Sequence, residues 1–179
     1  MKQQPILTGD NIILRPLVTA DAKQMFESLA DQEVARLTGT HETFSFEAVE
    51  SFCSRVGDDP DRFDYVICTE ADPTPLGEVV LNEIDWPNIS ASFRGAIYTQ
   101  QDFGRGLGTE SIQLLMDFAF DELKLNRVEL EVFEFNERAI HVYEKIGFKH
   151  EGRKREALQW EGKFYDALVM SMLASDRTP

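Results

Sequence analysis

A chain of 179 residues is long enough to bury one core of its own, and its 42% hydrophobic and 28% charged composition is that of an ordinary globular domain. A formal net charge of −14 argues against nucleic acid as the main partner, because phosphate backbones are held by basic patches. No apolar run approaches the roughly 20 residues of a membrane helix, the start MKQQPILTGD lacks an apolar signal core, and Cys53 and Cys68 make neither a CxxC pair nor a disulfide framework, so the expectation is a single domain over 1–179, cytoplasmic and away from membranes, with two reduced and partly buried thiols.

The elements follow in chain order. NIILRPL (11–17) reads as a strand, and TADAKQMFESLAD (19–31) as a helix with Thr19 as N-cap and Ala22, Met25, Phe26 and Leu29 on one face. SFEAVESFCSRV (45–56) predicts a second helix capped by Ser45, and GDDPD (57–61) breaks it. Three strands are expected at 62–70, 75–85 and 89–99, separated by ADPTP and WPN at hairpin distances. A strongly amphipathic helix runs from Gly106 to about Leu123, burying Ile112, Leu115, Met116, Ala119 and Leu123. NRVELEVFEF (126–135) alternates with period two and is a strand. A short helix at 137–146 and strands near 147–156 and 162–173 close the chain. The order predicts a mixed α/β fold, with a parallel strand–helix–strand crossover between 89 and 135.

Charge is unevenly spread. Residues 21–85 hold 16 Asp/Glu against four basic residues, which is −12 of the total −14. That bias reads either as a solvated surface or as a field that draws in a cation.

DFGRGLGTE (102–110) places Gly104, Gly106 and Gly108 at alternate positions just before the helix that follows. The first N–H groups of a helix lack intrahelical acceptors and carry partial positive charge. Bare glycines there let a phosphate or diphosphate reach the main chain, and Arg105 can add a charged contact. The spacing fits neither the P-loop, since no Gly-Lys-Ser/Thr occurs, nor the dinucleotide G-x-G-x-x-G pattern. A glycine connection needing only positive φ is the plainer alternative.

Downstream stands NRVELEVFEFNERAIHVYEKIGFKHEG (126–152). With the glycine turn, the chain from LRPL (14–17) to DALVMSML (166–173) resembles the GNAT superfamily of N-acetyltransferases, in the branch that holds the RimJ/RimL-type ribosomal-protein and the bacterial spermidine acetyltransferases. The resemblance implies a mostly antiparallel twisted sheet of about seven strands, splayed between the fourth and fifth and flanked by about four helices. It implies acetyl-CoA as co-substrate, no metal, and a primary amine as acceptor. Phe103, Gly104, Arg105, Gly106, Leu107, Gly108 and Thr109 match the acyl-CoA diphosphate loop, with Phe103 where the family pattern has Gln or Arg. Ala96, Ile97 and Tyr98 match the strand that pairs with the pantetheine arm, Asn136 the asparagine near the thiol end, and Tyr143 the acid that protonates the departing thiolate. A homodimer is compatible with the resemblance.

Acetyl transfer to an amine needs a deprotonated nucleophile, donors for the carbonyl oxygen and a proton for the leaving thiolate. Backbone N–H groups where the sheet splays supply the donors, and Tyr143 the proton. For the base the sequence leaves two candidates, Glu78 or Glu83, acting through water, and either reads equally as an exposed strand carboxylate. Asn136 also reads as a plain N-cap, and Tyr143 as a plain core aromatic. His41, His141 and His150 share no metal-ligand spacing and read as surface residues. The acidic first two helices, placed on the acceptor side by the resemblance, favour a cationic amine: a polyamine, an aminoglycoside-like amine or a basic protein N-terminus. The rival is a non-catalytic acyl-CoA-binding sensor or interaction module of the same fold.

Overall fold

The computed structural model describes residues 4–177. Eight strands form one sheet: β1 (Leu7–Thr8), β2 (Ile13–Pro16), β3 (Phe63–Cys68), β4 (Gly77–Asp85), β5 (Ser90–Ile97), β6 (Arg127–Phe133), β7 (Lys149–Trp160) and β8 (Lys163–Leu173). Their order is β1-β2-β3-β4-β5-β6-β8-β7, and every neighbouring pair is antiparallel except β5 and β6. Five α-helices flank it: α1 (Ala22–Ser28), α2 (Gln32–Thr38), α3 (Phe46–Arg55), α4 (Leu107–Asp117) and α5 (Glu137–Ile146). Among the described residues no helix is long and apolar enough to cross a membrane.

The sheet buries both faces in its middle. β3, FDYVIC, is buried at all six positions, as expected of a β-branched and aromatic run between helices. In β6 the alternation is realised, with Val128, Leu130 and Val132 buried and Glu129 and Glu131 exposed. One face packs on α4 through Ile112, Leu115, Met116 and Ala119, with α5 against the same core. The other packs on α1 and α3 through Met25, Val49, Cys53, Val66 and Tyr98. Burying each such Leu, Ile, Met or Phe stabilises by about 1.5–3 kcal/mol, which is what holds short helices such as α1 in place. Cys53 and Cys68 are both free and buried.

The structure revises the sequence expectation at the N-terminal end. The helix expected over 19–31 is a 3₁₀ turn, Thr19–Asp21, leading into α1, and Thr19 is not its cap. The organising group is Asp21, whose carboxylate accepts the Val18 N–H at 3.0 Å and the Arg15 guanidinium at 2.7 and 2.8 Å. α2 and the two-residue β1 were not anticipated, which makes eight strands and five helices against seven and four. α2 nevertheless carries ordinary signals. Asp31 caps it by accepting the Glu33 and Val34 N–H groups, and Gly39 ends it in the left-handed region at φ +67°. Ser45 caps α3 as expected, accepting the Ala48 N–H. Past α4 the chain widens into a π-helical turn, Phe118–Glu122, and the final hairpin is longer than expected, with Gly162 at φ +79° in its turn.

Beyond Ser92 the sheet splits. β5 and β6 are paired in parallel only at Ser90↔Arg127, Ala91↔Val128 and Ser92↔Glu129, and then diverge, which is the splay expected between the fourth and fifth predicted strands. The opening lies beside the N-termini of α4 and α5.

Candidate active site

The glycine turn forms a cradle. Gly104 and Gly106 take φ +76° and +82°, values that L side chains resist, and a Cβ built on Gly104, Gly106 or Gly108 would meet nothing within 4 Å. The glycines therefore relieve no internal crowding; they leave open space over the main chain. The first intrahelical bond of α4 is Glu110 N–H to Gly106 C=O at 3.1 Å, so the N–H groups of Leu107, Gly108 and Thr109 have no acceptor within the helix. A diphosphate fits this set of donors and this open space. Leu107 contributes main chain only, since its side chain is buried in the core. Arg105 is drawn aside: its guanidinium pairs with Asp102, and it does not line the cavity above the loop. Phe103 does line it, beneath the guanidinium of Arg138.

The strand edge facing the split follows from register. The Tyr98 N–H donates to Leu76 C=O at 2.9 Å, so Tyr98, Ala96 and Arg94 turn their peptide groups toward β4. By alternation Phe93, Gly95 and Ile97 turn theirs into the gap that β6 vacates. Of the three residues that the resemblance matched to pantetheine pairing, Ile97 alone offers its backbone there. Ala96 lines the cavity with its side, and Tyr98 buries its ring in the core beside α1 and α3. Phe93 and Gly95 were missed by the sequence reading, and two-residue alternation from a fixed register would have found them.

Two cavities meet at this edge. One, of about 300 Å³, lies over the glycine turn; the other, of about 970 Å³, lies under α1, α2 and α3. Their shared wall includes Glu78, Phe93, Gly95, Asn136 and Tyr143.

Glu78 sits at the start of β4, opposite Ala96, and accepts the Tyr98 hydroxyl at 3.2 Å. Burial pushes its carboxyl above the ordinary range, partly offset by the nearby Arg94 cation. Burial, reinforced by the neighbouring Glu78 charge, likewise raises the Tyr98 phenol, which therefore stays a donor. Glu83, the other candidate base, lines neither cavity. A bulge between Asn82 and Asp85 breaks the alternation, Glu83 sits at φ +51°, and its exposed carboxylate accepts the Ser92 hydroxyl at 3.0 Å. The structure thus separates two residues that the sequence left equal.

Tyr143 stands on α5 with its ring edge-on to Phe93 and Phe148 at 6.0 and 5.8 Å, partly buried against the main core. Its hydroxyl has no hydrogen-bond partner among the described residues, and burial raises the phenol to about 12. Asn136 caps α5 through Oδ1, which accepts the Ala139 N–H at 3.3 Å. Its amide NH₂ makes no hydrogen bond among the described residues, so capping and ligand contact are compatible. His41, His141 and His150 are exposed, and no described group of three or more His, Cys, Asp or Glu could hold a metal ion.

The larger cavity is walled by apolar side chains, among them Met25, Leu29, Phe44, Phe52 and Phe133. Of the 16 acids in 21–85 only Glu42 and Glu78 line it, joined by Glu131 of β6, which pairs with Lys154. α2 and the loop after it bridge the split. A Cβ on Gly39 would lie 2.7 Å from the Phe133 ring, Arg36 lies 4.4 Å over Phe135, and His41 stacks on Trp160 at 4.9 Å.

Comparison with known proteins agrees with this geometry. The model of the acetyltransferase (GNAT) domain matches residues 11–149. The chain is 31% identical to the probable N-acetyltransferase YjcK of Bacillus subtilis, over 96% of this chain and 98% of that one. It is 30% identical to the spermidine N(1)-acetyltransferase of Escherichia coli K12, over 96% and 94%. The crystal structure of the Vibrio cholerae spermidine N-acetyltransferase in complex with CoA and spermine superposes with a TM-score of 0.86 at 25% identity, covering 94% and 98%. A strand-edge split beside a glycine-capped helix, a matched domain model and full-length relatives together show that this chain belongs to the GNAT acetyltransferase family.

Proposed function

We propose that the whole chain, 1–179, acts as one catalytic domain that moves the acetyl group of acetyl-CoA onto a primary amine, by direct attack with both substrates bound. A polyamine-like amine is the acceptor this reading favours. The observation that carries it is the shared wall: the cavity over the glycine turn and the larger, mostly apolar cleft meet where Glu78, Asn136, Tyr143 and the free edge of β5 converge. Two full-length relatives, one of them solved with CoA and spermine, support the acceptor class.

Bound acetyl-CoA supplies an acyl group activated as a thioester. The N–H groups of Leu107, Gly108 and Thr109 hold the diphosphate. The outward peptide groups of Gly95 and Ile97 align the pantetheine arm as an added strand. Donors on the β5 edge and the Asn136 amide stabilise negative charge on the carbonyl oxygen as nitrogen attacks. Glu78, whose raised pKa brings it nearer neutrality, takes the ammonium proton directly or through one water. Tyr143 donates to the departing sulfur. A phenol near 12 is a weaker acid than a thiol of about 8.5, so it acts chiefly as a hydrogen-bond donor to the developing thiolate.

A thiol-release assay over a panel of amines, with product mass, tests the reading. Spermidine-class amines are expected to release CoA and gain one acetyl group. Tight acetyl-CoA binding without release by any amine would replace this reading with a non-catalytic acyl-CoA-binding module. Tyr143→Phe is expected to lower kcat about a hundredfold with the Kd for CoA unchanged, the scale of a lost hydrogen-bond donor to developing charge; an unchanged kcat removes Tyr143 from the reaction.

A further inference from the structure

Phe103 stands where the family pattern carries a polar side chain, and the structure shows what it holds. The Arg138 guanidinium carbon lies 3.7 Å from the centroid of the Phe103 ring, a stacked cation–π contact across the mouth of the smaller cavity, and both residues line that cavity with Gly104, Gly106 and Gly108. Arg138 is exposed on the first turn of α5, so the fold does not need it for packing. It makes no hydrogen bond or salt bridge among the described residues. The acid whose pKa it lowers, Glu33, is already forked by Arg36 at 2.9 Å through both oxygens.

The charge balance of the cavity gives this placement its significance. The lining carries two carboxylates, Glu78 and Asp102, and one cation, Arg138. Asp102 is neutralised by Arg105, which the structure places outside the lining. A chain of net charge −14 repels a polyanion at long range, so a local cation is needed where the phosphates dock. A guanidinium stacked on a ring is held flat at little further entropic cost. Its N–H edge stays free for bidentate contact with phosphate oxygens.

Resting on the acetyl-CoA reading above, we propose that Arg138, positioned by Phe103, is the side-chain clamp on the coenzyme diphosphate. In this chain the polar group that position 103 does not offer is supplied by another element. Phe103 is a platform and Arg138 the binding residue. The clamp adds to the α4 N–H groups, so it sets affinity for the phosphorylated carrier and leaves the acyl chemistry alone.

Titration calorimetry with CoA and with dephospho-CoA, which keeps the diphosphate and lacks the 3′-phosphate, tests the assignment. Arg138→Ala is expected to weaken both ligands equally, by about ten- to hundredfold, the scale of a charge-assisted hydrogen-bonded pair. Arg138→Lys, which keeps the charge without the fork, is expected to fall between. Phe103→Ala shifts affinity in the same direction by a smaller factor, and Phe103→Tyr restores it. The salt dependence of CoA binding is expected to flatten in Arg138→Ala, a change that removal of a merely structural residue does not produce. Unliganded melting temperatures report folding separately. Equal CoA affinity in Arg138→Ala and the parent overturns the clamp, and a weakening confined to CoA moves it to the 3′-phosphate and overturns the diphosphate assignment. Failure of the parent to bind CoA at all overturns the acetyl-CoA reading instead.

Discussion

The two cavities share a wall and are made of different material. In the smaller cavity the groups proposed to hold the coenzyme phosphates and arm are largely main chain: the N–H groups of α4 beside bare glycines and one edge of β5, with Arg138 added. The larger cavity, the proposed acceptor side, is walled by side chains drawn from four helices, three strands and a loop, mostly apolar, with Glu42, Glu78 and Glu131 as its acids. A backbone site needs glycine at fixed spacing and so leaves a mark in a short stretch of sequence. A side-chain site leaves its marks scattered along the chain, each looking like ordinary core or surface. On the proposed function, recognition of the carrier is stiff and local, and recognition of the amine is distributed.

The contrast can be broken most decisively from the coenzyme side. Gly106→Trp places a bulky Cβ-bearing residue at φ +82° inside the cradle, and is expected to weaken CoA binding beyond about a hundredfold in calorimetry. If the variant keeps its affinity, the backbone does not hold the diphosphate. Next in size is Glu78→Gln at the shared wall, expected to lower kcat by about 10²–10³ with CoA affinity kept. Because the Glu78 carboxyl is raised by burial, the parent kcat/KM should fall as pH drops through that raised pKa, where the base is protonated, and the substitution should erase this limb. The same shift has a stability sign. A carboxyl with a raised folded pKa binds its proton more tightly folded than unfolded, so its ionisation weakens the fold as pH rises from the unfolded to the folded pKa. Glu78→Gln should therefore melt higher than the parent at neutral pH, with the gap closing toward acid. The smallest change is expected from Glu42→Gln at the rim, about a two- to threefold rise in KM for a cationic amine, the scale of an exposed charge contact, that vanishes at high salt. An effect as large as that of Glu78 would show the acceptor side to be as localised as the coenzyme side.

Legibility followed the same division. The glycine turn, α4, β6 and the capping role of Asn136 were all readable because local spacing dictates them. So was the split of the sheet, although through family resemblance and not through physics. α2 was missed even though Asp31 and Gly39 mark its ends, because its seven residues show no long apolar stripe between the caps. The choice between Glu78 and Glu83 was invisible, since a bulge reverses the alternation that would have ranked them. Arg138 was invisible for a different reason. Its meaning depends on Phe103, far back along the chain, and only the packed fold makes them touch.

The segment after Asp31 has a mechanical role. Gly39 abuts Phe133, Arg36 covers Phe135 and His41 rests on Trp160, so one short helix and its tail lean on the far arm of the divided sheet while Val34, Leu37 and Thr38 face both chambers. It works as a spacer block set between two jaws. A larger residue at Gly39 would push against the Phe133 ring and shift the jaw opening, so on the proposed function the girth of amine admitted would be gauged by a contact remote from the bond being made.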